Sequence, residues 1–389
     1  MEIETWHLMV LPIFFALGWL AARVDIRQVV RESRAVPASY FKGLNHLLSE
    51  QPDKAIEAFL EVARLDPDTL ELHFALGALF RRRGELERAI RIHQNLVDRA
   101  DLKQDQRLKA LNELGEDFLK AGLLDRAEAI FKRLESGPHA LDALRRLLDI
   151  HGLGKDWEQA IATARRLERL GASVSAAEIA HYHCELAQLA MLRNDPALAR
   201  QQLDAALAAH RKSARAYQLL GDLAARAGDD RAAIESWRRL ETENPGYLPL
   251  VANRLMQAYQ RLGEAEAGLQ LLRAYHERYP GSDLFQPVFQ ATAVSQGWGA
   301  AAELSADALK RAPSLRLLDD YLQARTAAAG EGGDLELRIA QDVVHRQASR
   351  LAHYHCVHCG FRARQHFWQC PACAAWDSIP PDRRESEHV

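Results

Sequence analysis

From Tyr40 onward, apolar and polar positions alternate with the 3.6-residue rhythm of amphipathic helices, and the helices recur at about 34 residues, the period of stacked helical hairpins. A small residue in the first helix of each hairpin is followed twelve positions later by an alanine in the second. The pairs are Gly43 and Ala55, Gly77 and Ala89, Gly115 and Ala127, Ala187 and Ala199, and Gly221 and Ala233. Small residues there let two helix backbones approach closely. Weaker copies centre on Ala160, Gly268 and Ala301, giving eight candidate hairpins between about 37 and 313, with extra residues before the third and fifth. Prolines at 67, 245, 280 and 313 stop second helices, and Gly84, Gly122, Gly228 and Gly263 fall in the turns between helices.

One hairpin cannot bury its apolar face, so stacking must stabilise the array, and the expected outcome is a curved solenoid with a long concave surface. The pattern resembles the tetratricopeptide repeat. In that family the exposed face of each first helix lines the groove. The matching positions are Arg81 and Arg82; Lys109, Asn112, Glu116 and Lys120; Gln188; Arg215, Gln218, Asp222 and Arg226; and Asn253, Gln257 and Arg261. Mixed in sign and rich in Arg, Asn and Gln, they suit recognition of a protein segment by directional hydrogen bonds.

Two other stretches break the helical rhythm. Trp6 to Ala22 carries no formal charge apart from a partial one on His7, and 17 to 19 residues reach about 26 to 28 Å as a helix, close to the hydrocarbon thickness. Residues 1–24 are expected to be a transmembrane anchor and 25–36 a linker. Glu2 and Glu4 argue against a cleaved signal peptide, and Arg23, Arg27, Arg31 and Arg34 place the rest of the chain in the cytoplasm by the positive-inside rule. After the array at 37–313, residues 314–350 read as a helical connector broken at Gly330-Glu331-Gly332-Gly333.

Residues 351–380 hold the strongest chemical signal. Cys356-Val357-His358-Cys359 and Cys370-Pro371-Ala372-Cys373 are two knuckles separated by ten residues, the spacing of a tetrathiolate site for one zinc or iron ion. Gly360 stands where a positive φ is often wanted. The knuckles resemble those of rubredoxin, with two departures: the short separation, and Ala374 in place of the second glycine. Both weaken an electron-carrier reading. With so few residues, metal binding should supply most of the folding energy of the module. Phe361, Phe367, Trp368 and Trp376 are expected either to pack over the site or to dock on the solenoid, and His353, His355, His358 and His366 lie near enough to replace a thiolate. Residues 381–389 have the composition of a frayed tail.

Charge adds exclusions. Lys plus Arg total 50 and Asp plus Glu 53, a net charge of -3 over 389 residues, so no global field favours nucleic acid. Free thiols imply a reducing compartment. Cys184 reads as part of a helix face. The array lacks a nucleophile elbow, a phosphate loop and a His-Glu-x-x-His helix, and the acid pairs Asp229-Asp230 and Asp319-Asp320 are assigned to turns or helix ends. No enzyme is expected.

Anchor, helical repeats and metal ribbon, in that order, make the chain similar to the lipopolysaccharide assembly protein B (LapB/YciM) family. That resemblance implies an all-α solenoid and a non-enzymatic adaptor at the inner membrane. The adaptor presents the lipid A pathway deacetylase LpxC to the membrane AAA+ protease FtsH and meets other inner-membrane proteins of lipopolysaccharide synthesis. A homodimer stays open. So do a generic membrane-tethered scaffold for another envelope complex and a rubredoxin-type redox protein.

Overall fold

The computed structural model describes residues 51–65, 70–279, 283–330 and 335–385, with single positions before residue 51. The expected membrane span and linker lie outside these residues, except for Phe15, Ala16, Gly18 and Trp19, which are helical. Among the described residues no helix is long and apolar enough to cross a membrane.

The chain divides into two compact units, residues 1–154 and 155–389. The first contains α1 (Pro52–Leu65), α2 (Leu70–Arg83), α3 (Leu86–Asp98), α4 (Gln104–Lys120), α5 (Leu124–Leu134) and α6 (Ala140–Gly154). Gly84 shows how the sequence turns one helix into the next. Its φ of 80° is open to glycine without strain, and it lets Gly84 N–H reach Arg81 O at 3.1 Å while Glu85 N–H reaches Phe80 O at 2.9 Å. Both bonds satisfy carbonyls left over at the end of α2.

The alanines of the twelve-residue pairs are fully buried, as Ala55, Ala89 and Ala127 show. The structure adds a third partner four residues further on. Phe59, His93 and Phe131 each lay a ring against the glycine of their hairpin, and a β-carbon on Gly115 would stand 2.8 Å from the Phe131 ring. On Gly77 it would overlap His93. Phe59, Leu72, Leu76, Phe80 and Ala89 form an apolar cluster. Beside it, His93 Nδ1 lies 2.5 Å from Asp117 Oδ2, and Arg81 donates to Asp117 Oδ1 at 2.8 Å and to Glu113 at 2.6 Å. His93 and Asp117 are wholly buried. A buried carboxylate is tolerable only with such partners.

The second unit continues with α7 (Trp157–Arg169), α8 (Ala176–Leu192), α9 (Pro196–Ala209), α10 (Ala214–Arg226) and α11 (Asp230–Glu243). A 3-10 turn, Pro245–Leu250, leads into α12 (Ala252–Arg261), α13 (Ala265–Arg278), α14 (Phe285–Gln296) and α15 (Trp298–Arg311). The connector is a further pair, α16 (Leu315–Ala329) and α17 (Leu335–Leu351). Asp156, Asp195 and Asp229 cap α7, α9 and α11 by accepting a backbone N–H three residues on, at 3.3, 3.0 and 3.0 Å. Trp237 covers Gly221 and donates its indole N–H to Gln218 O at 3.1 Å.

Two expectations change here. Asp320 is not at a helix end: it sits in the second turn of α16, 8% exposed, and burial pushes its carboxyl up to about 7. Its neighbour Asp319 faces His345 of α17 at 2.9 Å. Residues 381–385 are not a frayed tail. The ribbon strand β1 (Ala352–His355) pairs with β2 (Arg362–Ala363) on one side and with β3 (Arg384–Glu385) on the other, both antiparallel. In the β1–β3 register, the backbone of His353 pairs with that of Arg384. Composition suggested disorder, and tertiary pairing overrides it.

Candidate metal centre

Each cysteine pair lies in a tight turn closed by backbone hydrogen bonds. Gly360 N–H donates to Cys356 O at 2.9 Å, and Cys356 N–H donates back to Phe361 O at 2.8 Å. The second knuckle repeats this with Ala374 N–H to Cys370 O and Cys370 N–H to Ala375 O, both 2.9 Å. Gly360 has φ 77° and Ala374 φ 58°, so the alanine occupies the left-handed region that the turn demands. The two knuckles bring four sulfurs within 4.8 Å of one another. Cys356 Sγ lies 3.8 Å from Cys373 Sγ, and Cys359 Sγ 3.7 Å from Cys370 Sγ. A tetrahedron with metal–sulfur bonds of about 2.3 Å has edges of about 3.8 Å, so the donor set fits one tetrathiolate ion.

The surroundings split the thiols: a backbone hydrogen bond at Phe361 acts to lower Cys359, but burial and the neighbouring sulfurs hold it up at about 12, and Cys373 is raised as well. Burial acts to raise the Cys356 thiol, but its hydrogen bonds with Ser378 and with the backbone of Cys359 and His358 outweigh it and bring the thiol down to about 6. Cys356 and Cys370 pack with Ile379, Tyr354, Phe361 and Phe367, which shield one side of the site. His366 Nε2 is spent on Ile379 O at 2.9 Å, and among the described residues no histidine joins the sulfur cluster. Cys184 lies far from this chemistry in character: it is fully buried, and burial pushes its thiol up to about 12, where it is inert.

The four ribbon aromatics divide their work. Phe361 and Phe367 cover the metal centre, whereas Trp368 and Trp376 dock onto the helices of the second unit. Trp376 stacks on His181 with ring centroids 4.6 Å apart and meets Trp157 and Tyr182 edge-on, each at 6.1 Å. The Arg215 guanidinium lies 5.8 Å from its ring. Asp377 Oδ2 accepts from His181 Nε2 at 2.9 Å. Trp368 stacks on Tyr247 of the 3-10 turn at 5.1 Å. A second clamp holds the far end of the ribbon. Asp283 accepts Arg383 Nε and Arg316 Nη2, each at 2.7 Å, and Arg316 Nη1 donates to Arg383 O at 3.2 Å.

This docking changes the reading of the groove. Arg215 is 4% exposed under Trp376 and donates to Glu185 and Gln188, so with the ribbon in place it cannot serve a separate partner. Asp222 and Arg261 are engaged by Arg254 and Asp230, at 2.7 and 2.6 Å. Gln218 is half-buried, while Arg226, Asn253 and Gln257 are exposed. In the first unit Arg81 belongs to the Asp117 network and Glu116 pairs with Arg146 at 2.5 Å. Lys109 lies 4.5 Å over the Phe74 ring, Asn112 is half-buried, and Arg82 and Lys120 face solvent. The receivers of the ribbon, His181, Tyr182, Trp157 and Tyr247, were not singled out as a site by sequence. The available signal was two tryptophans in a module too small to bury them.

The matched family models agree with this architecture. Residues 354–381 match the family model described as rubredoxin metal binding domain, and residues 42–101 and 184–247 match that of the tetratricopeptide repeat. Lipopolysaccharide assembly protein B of Escherichia coli strain K12 is 35% identical over 96% of this chain and 97% of its own. The protein of the same name from Haemophilus influenzae is 29% identical over 96% of this chain and 97% of its own. Among solved structures, the TPR2AB domain of yeast Sti1 with an Hsp90 peptide aligns over 74% of this chain and 96% of its own, at 15% identity and a TM-score of 0.32. With that identity sustained over nearly its whole length, the chain belongs to the lipopolysaccharide assembly protein B family.

Proposed function

We propose that this chain is a non-enzymatic adaptor of lipopolysaccharide synthesis, held at the inner membrane by residues 1–24 with its bulk in the cytoplasm. In this reading it presents the deacetylase LpxC to the protease FtsH. Its relatives carry lipopolysaccharide assembly in their name, and its repeats are of a kind that binds protein segments. A membrane tether raises the effective concentration at which client and membrane protease meet.

The observation that carries the proposal is the insertion of Trp376 among His181, Tyr182 and Trp157. The metal ribbon is thereby part of the face that first helices present, and metal binding shapes the client surface. Zinc or iron would be held by Cys356, Cys359, Cys370 and Cys373 and would supply structural cross-linking. The test replaces Cys356 and Cys359 with serine in the full-length chain in cells. Metal should be lost and the half-life of LpxC should lengthen several-fold; an unchanged half-life with the metal gone would defeat the adaptor mechanism.

A further inference from the structure

Next to the far clamp of the ribbon lies a cavity of about 520 Å³, within the roughly 300–1,000 Å³ of small-ligand clefts. It lies between α13, α14, the α15–α16 junction and the residue just before β3. Its charge is unbalanced: Arg311, Arg316 and Arg383 line it against Asp283 and Asp320. Both oxygens of Asp283 are already taken, one by Arg316 and one by Arg383. Burial pushes the Asp320 carboxyl up to about 7, so near neutral pH it offsets the arginines only in part.

Donors remain unused. Arg311 is exposed and, among the described residues, has no hydrogen bond or ion pair. Arg383 spends its Nε on Asp283, which leaves both terminal NH2 groups of its fork without a partner among the described residues. His276 Nδ1 is buried with no hydrogen-bond partner there either. The rest of the lining combines the apolar Phe285, Ala308, Ala312 and Leu317 with the polar Gln286 and Ser314.

We propose that this cavity binds the C-terminal carboxylate of a polypeptide, with its apolar last side chain against Phe285 and Leu317 and its carboxylate between Arg311 and Arg383. Guanidinium forks match a planar carboxylate in bidentate geometry. A net excess of one to two positive charges suits a monoanion. A chain terminus places the charge and an apolar side chain on one carbon, which suits a lining that mixes arginines with apolar groups. A free amino acid would add an ammonium facing the arginines. The bound terminus would bridge Arg311 of the solenoid to Arg383 of the ribbon and so strengthen docking.

Isothermal titration calorimetry of the full-length, metal-loaded chain in detergent tests this with an N-acetylated Ala-Ala-Leu tripeptide as free acid and as C-terminal amide. Hexanoate and inorganic phosphate serve as further arms. The free acid should bind, and the amide at least tenfold more weakly. Arg311→Ala should lose at least tenfold in affinity with an unchanged melting curve, because Arg311 is exposed and holds nothing in place. Equal binding of acid and amide, no binding of the acid, tighter binding of hexanoate or phosphate than of the acid, or an Arg311→Ala chain that binds normally would each overturn the assignment.

Discussion

The two units solve one packing problem with different chemistry. Both place a ring against a glycine of the first helix, His93 over Gly77 in the first and Trp237 over Gly221 in the second. In the first unit that ring is part of a buried polar network, with Asp117 held by His93 and Arg81. In the second unit Trp237 lies in a large apolar cluster with Leu255, Leu269 and Tyr275, and Trp368 of the ribbon packs against the same cluster. The first unit buries a charged network among its helices, whereas the core of the second is extended by a module that carries the tetrathiolate metal site. Stability should therefore divide along the chain, metal-independent before residue 154 and metal-dependent after it.

Removing the metal breaks that comparison most forcefully. Structural tetrathiolate sites of this size contribute about 10 kcal/mol or more to folding. A strong chelator, or Cys356→Ser with Cys359→Ser, should unfold the ribbon, expose Trp368 and Trp376, and shift the melting of the second unit downward by many degrees. Hydrogen exchange at α2 to α5 should stay as it was. If the protection of both units fell together, the division proposed above would be wrong.

An intermediate effect is expected from the other side. Asp117→Asn keeps the shape but removes the negative charge and leaves one acceptor oxygen where Arg81 and a His93 that no water reaches now use two. Breaking one partner out of a buried charged network costs about 3 kcal/mol. Chemical denaturation followed by hydrogen exchange should show the loss in the first unit, with metal content and the exchange of α8 to α13 unaltered. A second unit that loosened to the same extent would show the two to be one cooperative block.

How much of this was legible in the sequence follows from how local each feature is. The knuckles, the glycine turns and the glycine–alanine pairs are set by residues within about a dozen positions of one another, and periodicity exposes them. The clamp of Asp283 with Arg383 spans 100 residues, and His181 with Asp377 spans 196. No period marks such pairs. The strand at 384–385 escaped for a related reason: its Arg and Glu look like a solvated tail until β1 offers an edge. The register of Arg215 on α10 is that of a groove residue; only the docked tryptophan makes it interior.

The smallest effect concerns the metal module that packs on the helices of the second unit. Its knuckles are matched in hydrogen bonding but not in residue: Gly360 at φ 77° has open space around it, while Ala374 at φ 58° carries a β-carbon in a conformation that costs an L-residue about 1 kcal/mol. Ala374→Gly removes that strain, but it also gives the unfolded chain more freedom to lose, which returns part of the gain. The expected net stabilisation is a few tenths of a kcal/mol up to about 1 kcal/mol. It should appear as slower release of metal to a chelator and a small rise in the melting of the second unit, with the first unit unmoved. Faster release would mean that the alanine methyl makes a contact worth more than the strain it bears. The second knuckle would then be held by packing rather than by backbone geometry.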